Sequence, residues 1–308
     1  MEKTKLSFLI AAHNEEKIIS KTLRDLSKIP YKNYEIILGL DGCTDKTEEI
    51  VKSYEKNNKK IKHINLNLRQ GKTAVINNII KKAKGEIVII NDADWIFTVK
   101  TKEKLLKFLS VFKNEKIGGI AESFPVEFEK TKLGSSNLGY KMIALSSFYW
   151  FKFQKERLTY KKNNVNYIKE PTMFLTNIFR KKLFKENTSL GDDFERTRDI
   201  KSQGYDIVLF DDIEMPRMIA VYDDISIKKL FKQKIRTAMA REQIKKEKKF
   251  KLNKYYSDSI IYMLRESFKS NITEGSIVTF WIALTSIASI YVKFKSFGTK
   301  EGWKLRAR

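Results

Sequence analysis

Two carboxylates separated by one residue form the most chemically suggestive segment of the sequence. Asp92 and Asp94 lie in Asn91–Asp94, directly after the uninterrupted apolar run Ile87–Ile90. Such a run is typical of a strand buried on both faces, and open parallel sheets bind ligands at the carboxyl ends of their strands. Two carboxylates there can share Mg²⁺ or Mn²⁺, which also accept phosphate oxygens. A solvated turn after the strand is the alternative interpretation.

Asp41 and Lys72 are two further candidates for ligand binding. Asp41 comes directly after the predicted strand Tyr34–Leu40, where a carboxylate can accept a hydrogen bond from a base or a ribose. Gly71 and Lys72 open a predicted helix, where backbone N–H groups and a lysine can meet an anion. The alternatives are an ordinary turn and an ordinary helix cap.

Asp192 and Asp193 lie at the start of a predicted helix over 193–203. The helix dipole favours acidic side chains at a helix start, so capping alone would account for them. A carboxylate at this position can also act as a general base that deprotonates a hydroxyl nucleophile.

Strand and helix patterns alternate through the first third of the chain. Strands are predicted at 6–12, 34–40, 61–66 and 87–90, and helices at 15–28, 46–57 and 72–83. This alternation predicts an α/β fold, with a mostly parallel central sheet and helices on both faces. The middle of the chain is less regular. Its predicted helices are 102–112, 137–153 and 193–203, and its predicted strands are 117–121, 126–129, 172–179 and 206–210.

The amino-acid composition argues against several classes of protein. The chain has 308 residues, with one cysteine and two histidines, which argues against a disulfide framework, a zinc hydrolase and a Ser-His-Asp catalytic triad. Lys and Arg number 61 against 37 Asp and Glu, a formal charge of +24. An anionic partner would explain that charge: nucleic acid, a membrane surface or a phosphorylated substrate. Lysine-rich solvated surfaces would also explain it.

The C-terminal region has a different composition. Residues 228–254 contain twelve Lys or Arg and two Glu, and residues 275–292 carry no charge. The uncharged segment would span about 27 Å as a helix, barely the thickness of a hydrocarbon core. We expect residues 226–308 to form basic amphipathic helices at an anionic membrane surface, with 275–292 as a possible membrane helix. No secretory leader pattern opens the chain, so we expect its N-terminal part to fold in a reducing compartment.

Taken in order, these motifs resemble the family 2 glycosyltransferases of the GT-A fold, which include cellulose and hyaluronan synthases and polyprenol-phosphate sugar transferases. The resemblance covers most of residues 5–240. It rests on Leu6–Glu16, Glu35–Asp45, Gly71–Asp94 and Gly191–Glu195. Gln233 and Arg236 lie where processive members carry QxxRW, but Thr237 replaces the tryptophan, which argues against processive synthesis.

The resemblance implies an inverting, metal-dependent transfer from a UDP- or GDP-linked sugar to a glycan or lipid-linked acceptor. Each motif then has an implied role. Asp94 would hold Mg²⁺ or Mn²⁺, and Asp193 would be the catalytic base. Ala12, Asn14, Glu15, Asp41, Lys72 and Asp92 would bind the nucleotide sugar, and Asp192, Gln233 and Arg236 would contact the acceptor or the diphosphate.

The implied organisation is a catalytic domain over 1–225, with a nucleotide-binding half (1–95) and an acceptor-binding half (96–225), followed by the C-terminal helices. The expected location is the cytoplasmic face of the cell membrane, through peripheral or single-helix attachment. Three other hypotheses remain. A basic nucleic-acid-binding protein would leave the strand-end carboxylates unexplained, and a nucleotidyltransferase would need a glycine-rich N-terminal loop. A glycosyltransferase-like protein without turnover is supported only by Leu40 and Thr237.

Overall fold

The computed structural model describes residues 4–123, 136–163, 165–171, 174–186, 191–220, 225–247 and 252–294. These residues form two compact units. The first contains the described residues up to 123, those within 160–188 and those within 192–221. The remaining described residues form the second unit, which is helical.

A nine-stranded sheet is the centre of the first unit, with the strand order β3-β2-β1-β4-β9-β6-β10-β8-β7. Strands β3, β2, β1 and β4 run parallel to one another, and β6 is parallel to β10. A separate antiparallel ribbon pairs β5 with β11. The strands are β1 Leu6–Ala12, β2 Tyr34–Leu40, β3 Ile61–Asn65, β4 Ile87–Ile90, β5 Trp95–Thr98, β6 Ile117–Ala121, β7 Thr159–Lys162, β8 Val165–Ile168, β9 Ile178–Arg180, β10 Asp206–Leu209 and β11 Arg217–Ala220.

Strand β9 interrupts the parallel pattern because it runs antiparallel to both β4 and β6. Because β9 is antiparallel to both of them, β4 and β6 run in the same direction. The carboxyl ends of β1, β2, β4 and β6 therefore lie along one edge of the sheet. This edge is where a ligand site is expected.

The helices among the described residues are divided between the two units. The first unit contains α1, α2, α3, α4 and α6, and the second contains α5, α7, α8 and α9. Their bounds are α1 Ile19–Ser27, α2 Thr47–Asn57, α3 Lys72–Ile79, α4 Lys102–Ser110, α5 Leu138–Leu158, α6 Asp192–Ser202, α7 Ile227–Glu247, α8 Leu252–Ser270 and α9 Ile272–Lys293. Short 3₁₀ helices follow α3, α4 and β9.

Burial of the central strands on both faces explains their continuous apolar sequences. Every residue of β1, β2, β4 and β6 is buried. Apolar side chains of α1 and α4, among them Leu23, Leu26 and Phe108, pack into the same core. The mostly parallel α/β sheet predicted from the sequence is confirmed.

Agreement with the predicted elements is closest where the strands are buried. The predicted bounds of β1, β2, β4 and β6 match the structure, whereas the predicted helix over 15–28 begins only at Ile19. Of the predicted strand over 172–179, the described part is a strand only from Ile178. The predicted strand over 126–129 lies outside the described residues. Strands β5, β7, β8 and β11 were not predicted.

The second unit joins α5 to the three C-terminal helices. Met142 and Tyr149 of α5 share a core with Met263 of α8 and with Val278 and Trp281 of α9. Helix α5 belongs to this unit, and the predicted acceptor-binding half over 96–225 stays a prediction. The uncharged segment 275–292 lies within α9. Among the described residues, α9 is the one helix long and apolar enough to cross a membrane by length and composition.

Candidate active site

The turns after β1 and β2 are hydrogen-bonded to each other. Asn14 has a left-handed backbone with a φ of 55°. Its Oδ1 accepts a hydrogen bond from the Thr44 N–H at 2.8 Å, and its Nδ2 donates to Thr44 Oγ1 at 3.0 Å. The backbone N–H of Glu15 donates to Thr47 Oγ1 at 2.7 Å. The predicted nucleotide-binding residues Ala12, Asn14 and Glu15 thus share one cross-linked turn at the carboxyl edge.

Asp41 is completely buried at the end of β2. Its Oδ1 accepts a hydrogen bond from the Gln70 N–H at 2.6 Å, and its Oδ2 accepts from the Gly71 N–H at 2.8 Å. Gly42 follows with a φ of +60°, and a Cβ there would lie 2.9 Å from the backbone nitrogen of Arg69. Asp41 therefore holds the loop that leads into α3, and its predicted contact with a base stays a prediction.

Two buried polar side chains fix the turn that carries Asp92 and Asp94. The Asn91 amide donates to the backbone oxygens of Asp92 and Trp95, at 2.8 and 2.9 Å. Thr22 Oγ1 of α1 donates to the Ala93 oxygen at 2.6 Å. The two carboxylates therefore extend from a turn whose backbone is held on both sides.

Lys72, the first residue of α3, links this turn to the start of α6. Its ammonium lies 2.7 Å from Asp92 Oδ1, and both side chains are largely buried. Burial lowers the pKa of Lys72, but the carboxylates of Asp92, Asp192 and Asp193 raise it above its ordinary value. The structure thus places Asp92 in contact with the Lys72 ammonium, and the carboxylates of Asp192 and Asp193 lie near enough to influence it.

Asp193 has the electrostatic environment of a general base. Burial and the charge of Asp192 raise its pKa to about 6, although Lys72 and Arg196 act in the opposite direction. Its Oδ1 accepts a hydrogen bond from the Phe194 N–H at 2.9 Å. A carboxylate with this pKa is ionised at neutral pH and is basic enough to take a proton from a hydroxyl group.

Asp192 has a different environment, because it pairs with a buried arginine. Its Oδ2 lies 2.6 Å from Arg196 Nη2. Arg196 Nη1 donates to the Thr176 oxygen at 3.1 Å and to Asn177 Oδ1 at 2.7 Å, and the guanidinium lies over the ring of Phe179. This network fastens the first turn of α6 to the sheet. The assignment of the base to Asp193 rather than Asp192 stays a prediction.

Glu122 and Arg196 belong to this site and were not predicted. Glu122 directly follows β6, and its carboxylate accepts a hydrogen bond from the Asn177 amide. Burial and the neighbouring Asp193 raise the pKa of Glu122 to about 8. The strand-end rule that indicated Asp41 and Asp92 would have indicated Glu122, since the strand over 117–121 was predicted. No sequence signal marked Arg196 or Asn177, because their contacts join distant segments.

The donor atoms suit a divalent cation that is completed by a ligand. Within the ranges that the structure describes, no three His, Cys, Asp or Glu side chains form a metal cluster. Asp92 and Asp94 offer carboxylate oxygens from one turn. Magnesium is commonly held by one or two carboxylates together with substrate phosphates and water. The residues present therefore fit Mg²⁺ or Mn²⁺ bound jointly with a diphosphate.

Two further predicted site residues lie on a C-terminal helix. Gln233 and Arg236 are on α7, in the second unit. Their predicted contacts with the acceptor or the diphosphate stay predictions.

Comparison with known proteins gives the class of the chain. Residues 7–187 match the model of Glycosyl transferase family 2. Because this match covers more than half of the chain, the chain belongs to that family, as the sequence motifs indicated.

Curated relatives share the family but differ in size. A beta-monoglucosyldiacylglycerol synthase of Nostoc sp. is 29% identical over 157 residues, which cover 50% of this chain and 32% of that protein. A GalNAc(5)-diNAcBac-PP-undecaprenol beta-1,3-glucosyltransferase of Campylobacter jejuni is 25% identical over 189 residues, with 58% and 61% covered. The chain thus spans from about a third to three fifths of the length of these relatives.

Solved structures confirm the GT-A fold. The mannosyltransferase PcManGT of Pyrobaculum calidifontis, in complex with GDP-Man and Mn²⁺, has a TM-score of 0.55 and 14% identity, with 98% of this chain and 78% of that chain covered. The 1–349 fragment of S. aureus TarS has a TM-score of 0.50 and 20% identity, with 76% and 64% covered. At these identities the likeness concerns the fold alone.

Proposed function

We propose that the chain transfers a sugar, with inversion, from a UDP- or GDP-linked donor to a hydroxyl or phosphate acceptor that is a glycan or is linked to a lipid. The observation that carries this proposal is the cluster of Lys72, Asp92 and Asp193 at the carboxyl edge of the sheet. It joins a cation suited to phosphate, a carboxylate beside the metal-ligand candidate Asp94, and a base of raised pKa.

The turns at the carboxyl edge of the sheet would bind the sugar donor. The turns after β1 and β2 would border the nucleotide, and Lys72 would contact the diphosphate. Asp92 keeps Lys72 charged and in place, and it would lie near the ribose and the donor sugar. Asp94 and Asp92 would hold Mg²⁺ or Mn²⁺, which when bound neutralises the negative charge that develops on the leaving diphosphate.

The transfer step is assigned to Asp193. Its carboxylate takes the proton of the acceptor hydroxyl as the acceptor oxygen bonds to the anomeric carbon. The bond from that carbon to the diphosphate oxygen breaks on the opposite face, so the configuration inverts. Asp192 and Arg196 position Asp193, because their buried ion pair fixes the first turn of α6.

A membrane face is the proposed place of action, and the second unit favours peripheral attachment. Helix α9 exposes Phe280, Ile287 and Ile290. Its buried face contacts the lysine-rich helix α7, through Ala288 and Val292 against Ile235. If α9 crossed the bilayer with this packing, the lysines of α7 would enter hydrocarbon, at a large cost in free energy. An interfacial position leaves those lysines beside anionic head groups.

The acceptor class is proposed from the relatives. Their names include a diacylglycerol glycolipid, an undecaprenol-linked oligosaccharide and, in a 32% identical Staphylococcus epidermidis protein, a poly-beta-1,6-N-acetyl-D-glucosamine. Each is a lipid-linked or polymeric glycan. We place this chain's acceptor in the same broad class, at the cytoplasmic face of the membrane.

Calorimetric titration of the full chain with UDP, GDP and their common sugar conjugates tests the donor assignment. Each titration is run with Mn²⁺ and again with EDTA. We expect one nucleotide series to bind in the presence of Mn²⁺ and to bind far more weakly with EDTA. Absence of binding across the whole panel would contradict the proposal and would favour a protein without turnover or a nucleic-acid-binding protein.

A further inference from the structure

The second unit contains a cavity of about 310 Å³ between α7, α8 and α9, with Trp150 of α5 at its side. Its polar lining includes Arg241 of α7, Tyr256 of α8, and Trp281 and Thr285 of α9. The volume lies at the lower end of the range found for small-ligand sites. Nothing in the proposed transfer reaction uses this cavity.

Three buried polar atoms of the cavity lining lack hydrogen-bond partners in the described part of the chain. They are Arg241 Nε, Trp281 Nε1 and Thr285 Oγ1. Trp281 is more than nine-tenths buried. The arginine and tryptophan atoms can only donate, and a buried donor without an acceptor costs about 1–3 kcal/mol. The cavity is therefore matched to a ligand that supplies several acceptor oxygens.

Positive charge exceeds negative charge around this cavity. The Lys234 ammonium lies 4.6 Å from the centre of the Trp281 ring, and the Arg241 guanidinium lies 4.4 Å from the centre of the Tyr256 ring. Lys293 and one carboxylate, that of Glu242, also line the cavity. Burial and the charge of Arg241 lower the pKa of Lys234 to about 7. A bound anion would relieve the repulsion between these two cations.

The rest of the lining is apolar and reaches the protein surface. Ile260 and Met263 of α8 and Ile282 and Ile290 of α9 also line the cavity. Ile290 is 57% exposed, and the exposed side chain of Ile287 lies nearby on the same helix. A ligand held by its anionic end can therefore extend an apolar chain onto the exposed face of α9.

We propose that this cavity binds a lipid whose head is an anionic phosphate monoester. The phosphate oxygens accept hydrogen bonds from Arg241, Trp281 and Thr285, and one acyl chain lies along Ile282 and Ile290. Phosphate suits the site because it supplies enough oxygens for all three donors. The apolar exit along the membrane-helix candidate selects a lipid over a free anion. This binding is separate from glycosyl transfer and does not depend on the proposed donor chemistry.

The test titrates the full chain with dihexanoyl phosphatidic acid, kept below its micelle concentration. Inorganic phosphate and dihexanoyl phosphatidylcholine are the comparison ligands. We expect phosphatidic acid to bind roughly tenfold or more tightly than either of them, because only it supplies both the anionic head and the apolar chains. Equal binding of phosphatidic acid and inorganic phosphate, or of the two lipids, would overturn the proposal.

Three variants locate the binding. Arg241→Gln should weaken phosphatidic acid binding roughly tenfold, since it removes a charged hydrogen bond. Ser286→Trp changes an exposed residue of the cavity lining, so it should block the site without unfolding the helices. Lys232→Gln, which removes one charge from an exposed position of α7, should bind like the wild type. Wild-type binding by Arg241→Gln and Ser286→Trp would refute the site, as would an equal loss in Lys232→Gln.

Discussion

The two units differ in the groups that surround their buried cations. In the first unit each central cation meets carboxylates: Lys72 pairs with Asp92, and Arg196 pairs with Asp192. In the second unit, Lys234 and Arg241 lie over aromatic rings and repel each other. The cations of the first unit are therefore neutralised by ion pairs within the protein. Those of the second unit can still attract an external anion.

This difference distinguishes the residues proposed to bind the sugar donor from the residues proposed to bind a membrane lipid. Carboxylates near Lys72 lower the net positive charge of the first site, so a diphosphate there benefits from an added divalent cation. The cations of the second unit need no metal to attract a phosphate. Metal dependence should therefore belong to the first unit alone, and the following variants test that division.

The largest effect is expected from Asp94→Ala. This change removes the carboxylate assigned to the metal, so Mn²⁺-dependent donor binding should fall below detection in the calorimetric titration. Phosphatidic acid binding should stay at the wild-type value, with or without EDTA. If Asp94→Ala binds the donor normally with Mn²⁺, the metal assignment is wrong.

Asp193→Asn should leave donor binding unchanged and slow transfer by about 10²–10⁴-fold, the usual contribution of a general base. Sugar transfer to acceptor and donor affinity are measured on the same preparation. In the wild type, the rate should fall about tenfold per pH unit below pH 6, as Asp193 becomes protonated. A variant that transfers sugar at the wild-type rate would exclude Asp193 as the base.

Arg196→Met should destabilise the protein by about 3–5 kcal/mol, because it leaves Asp192 buried without its partner. The free energy of unfolding in urea measures this effect. Lys52→Gln is the control, since it removes only a solvent-screened surface pair with Glu48. Equal losses in the two variants would show that the Asp192–Arg196 pair has no special structural role.

The last prediction concerns the pH dependence of stability at Glu122. Its pKa of about 8 in the folded protein exceeds the ordinary value of 4.5. The folded protein therefore keeps a proton that the unfolded chain releases. The stability that this proton provides is present at low pH and is lost as the pH rises from about 4.5 to about 8. Glu122→Gln mimics the protonated form, so its melting temperature should exceed that of the wild type increasingly across this window; parallel melting curves would contradict the assignment.

The parts predicted from the sequence are those determined locally. Strands such as Leu6–Ala12 and Ile87–Ile90 are buried on both faces, so their apolar runs define their bounds. Strand β9 has only three residues, and its antiparallel pairing with β4 and β6 depends on distant partners. The ribbon strand Trp95–Thr98 is only partly buried, so it lacks a continuous apolar run.

The residues of the candidate site also divide into those with a local sequence signal and those that depend on distant segments. Acidic residues at predicted strand ends and helix starts, such as Asp92 and Asp193, were found because their positions carry the signal. Arg196 lies in a helix with the acidic and basic residues of a solvated surface, and only the tertiary structure buries its guanidinium. Glu122 was accessible to the strand-end rule, but its raised pKa depends on burial and on Asp193, which is distant in sequence.

Asp41 has a consequence for how the donor must be held. The start of a helix usually attracts phosphate through its free N–H groups. Here the protein's own carboxylate already occupies the N–H groups of Gln70 and Gly71, just before α3. These two N–H groups are therefore not available to a diphosphate, which gives the charge of Lys72 and of a metal ion a larger share in holding it. Donor affinity should accordingly respond strongly to ionic strength and to the choice of divalent cation.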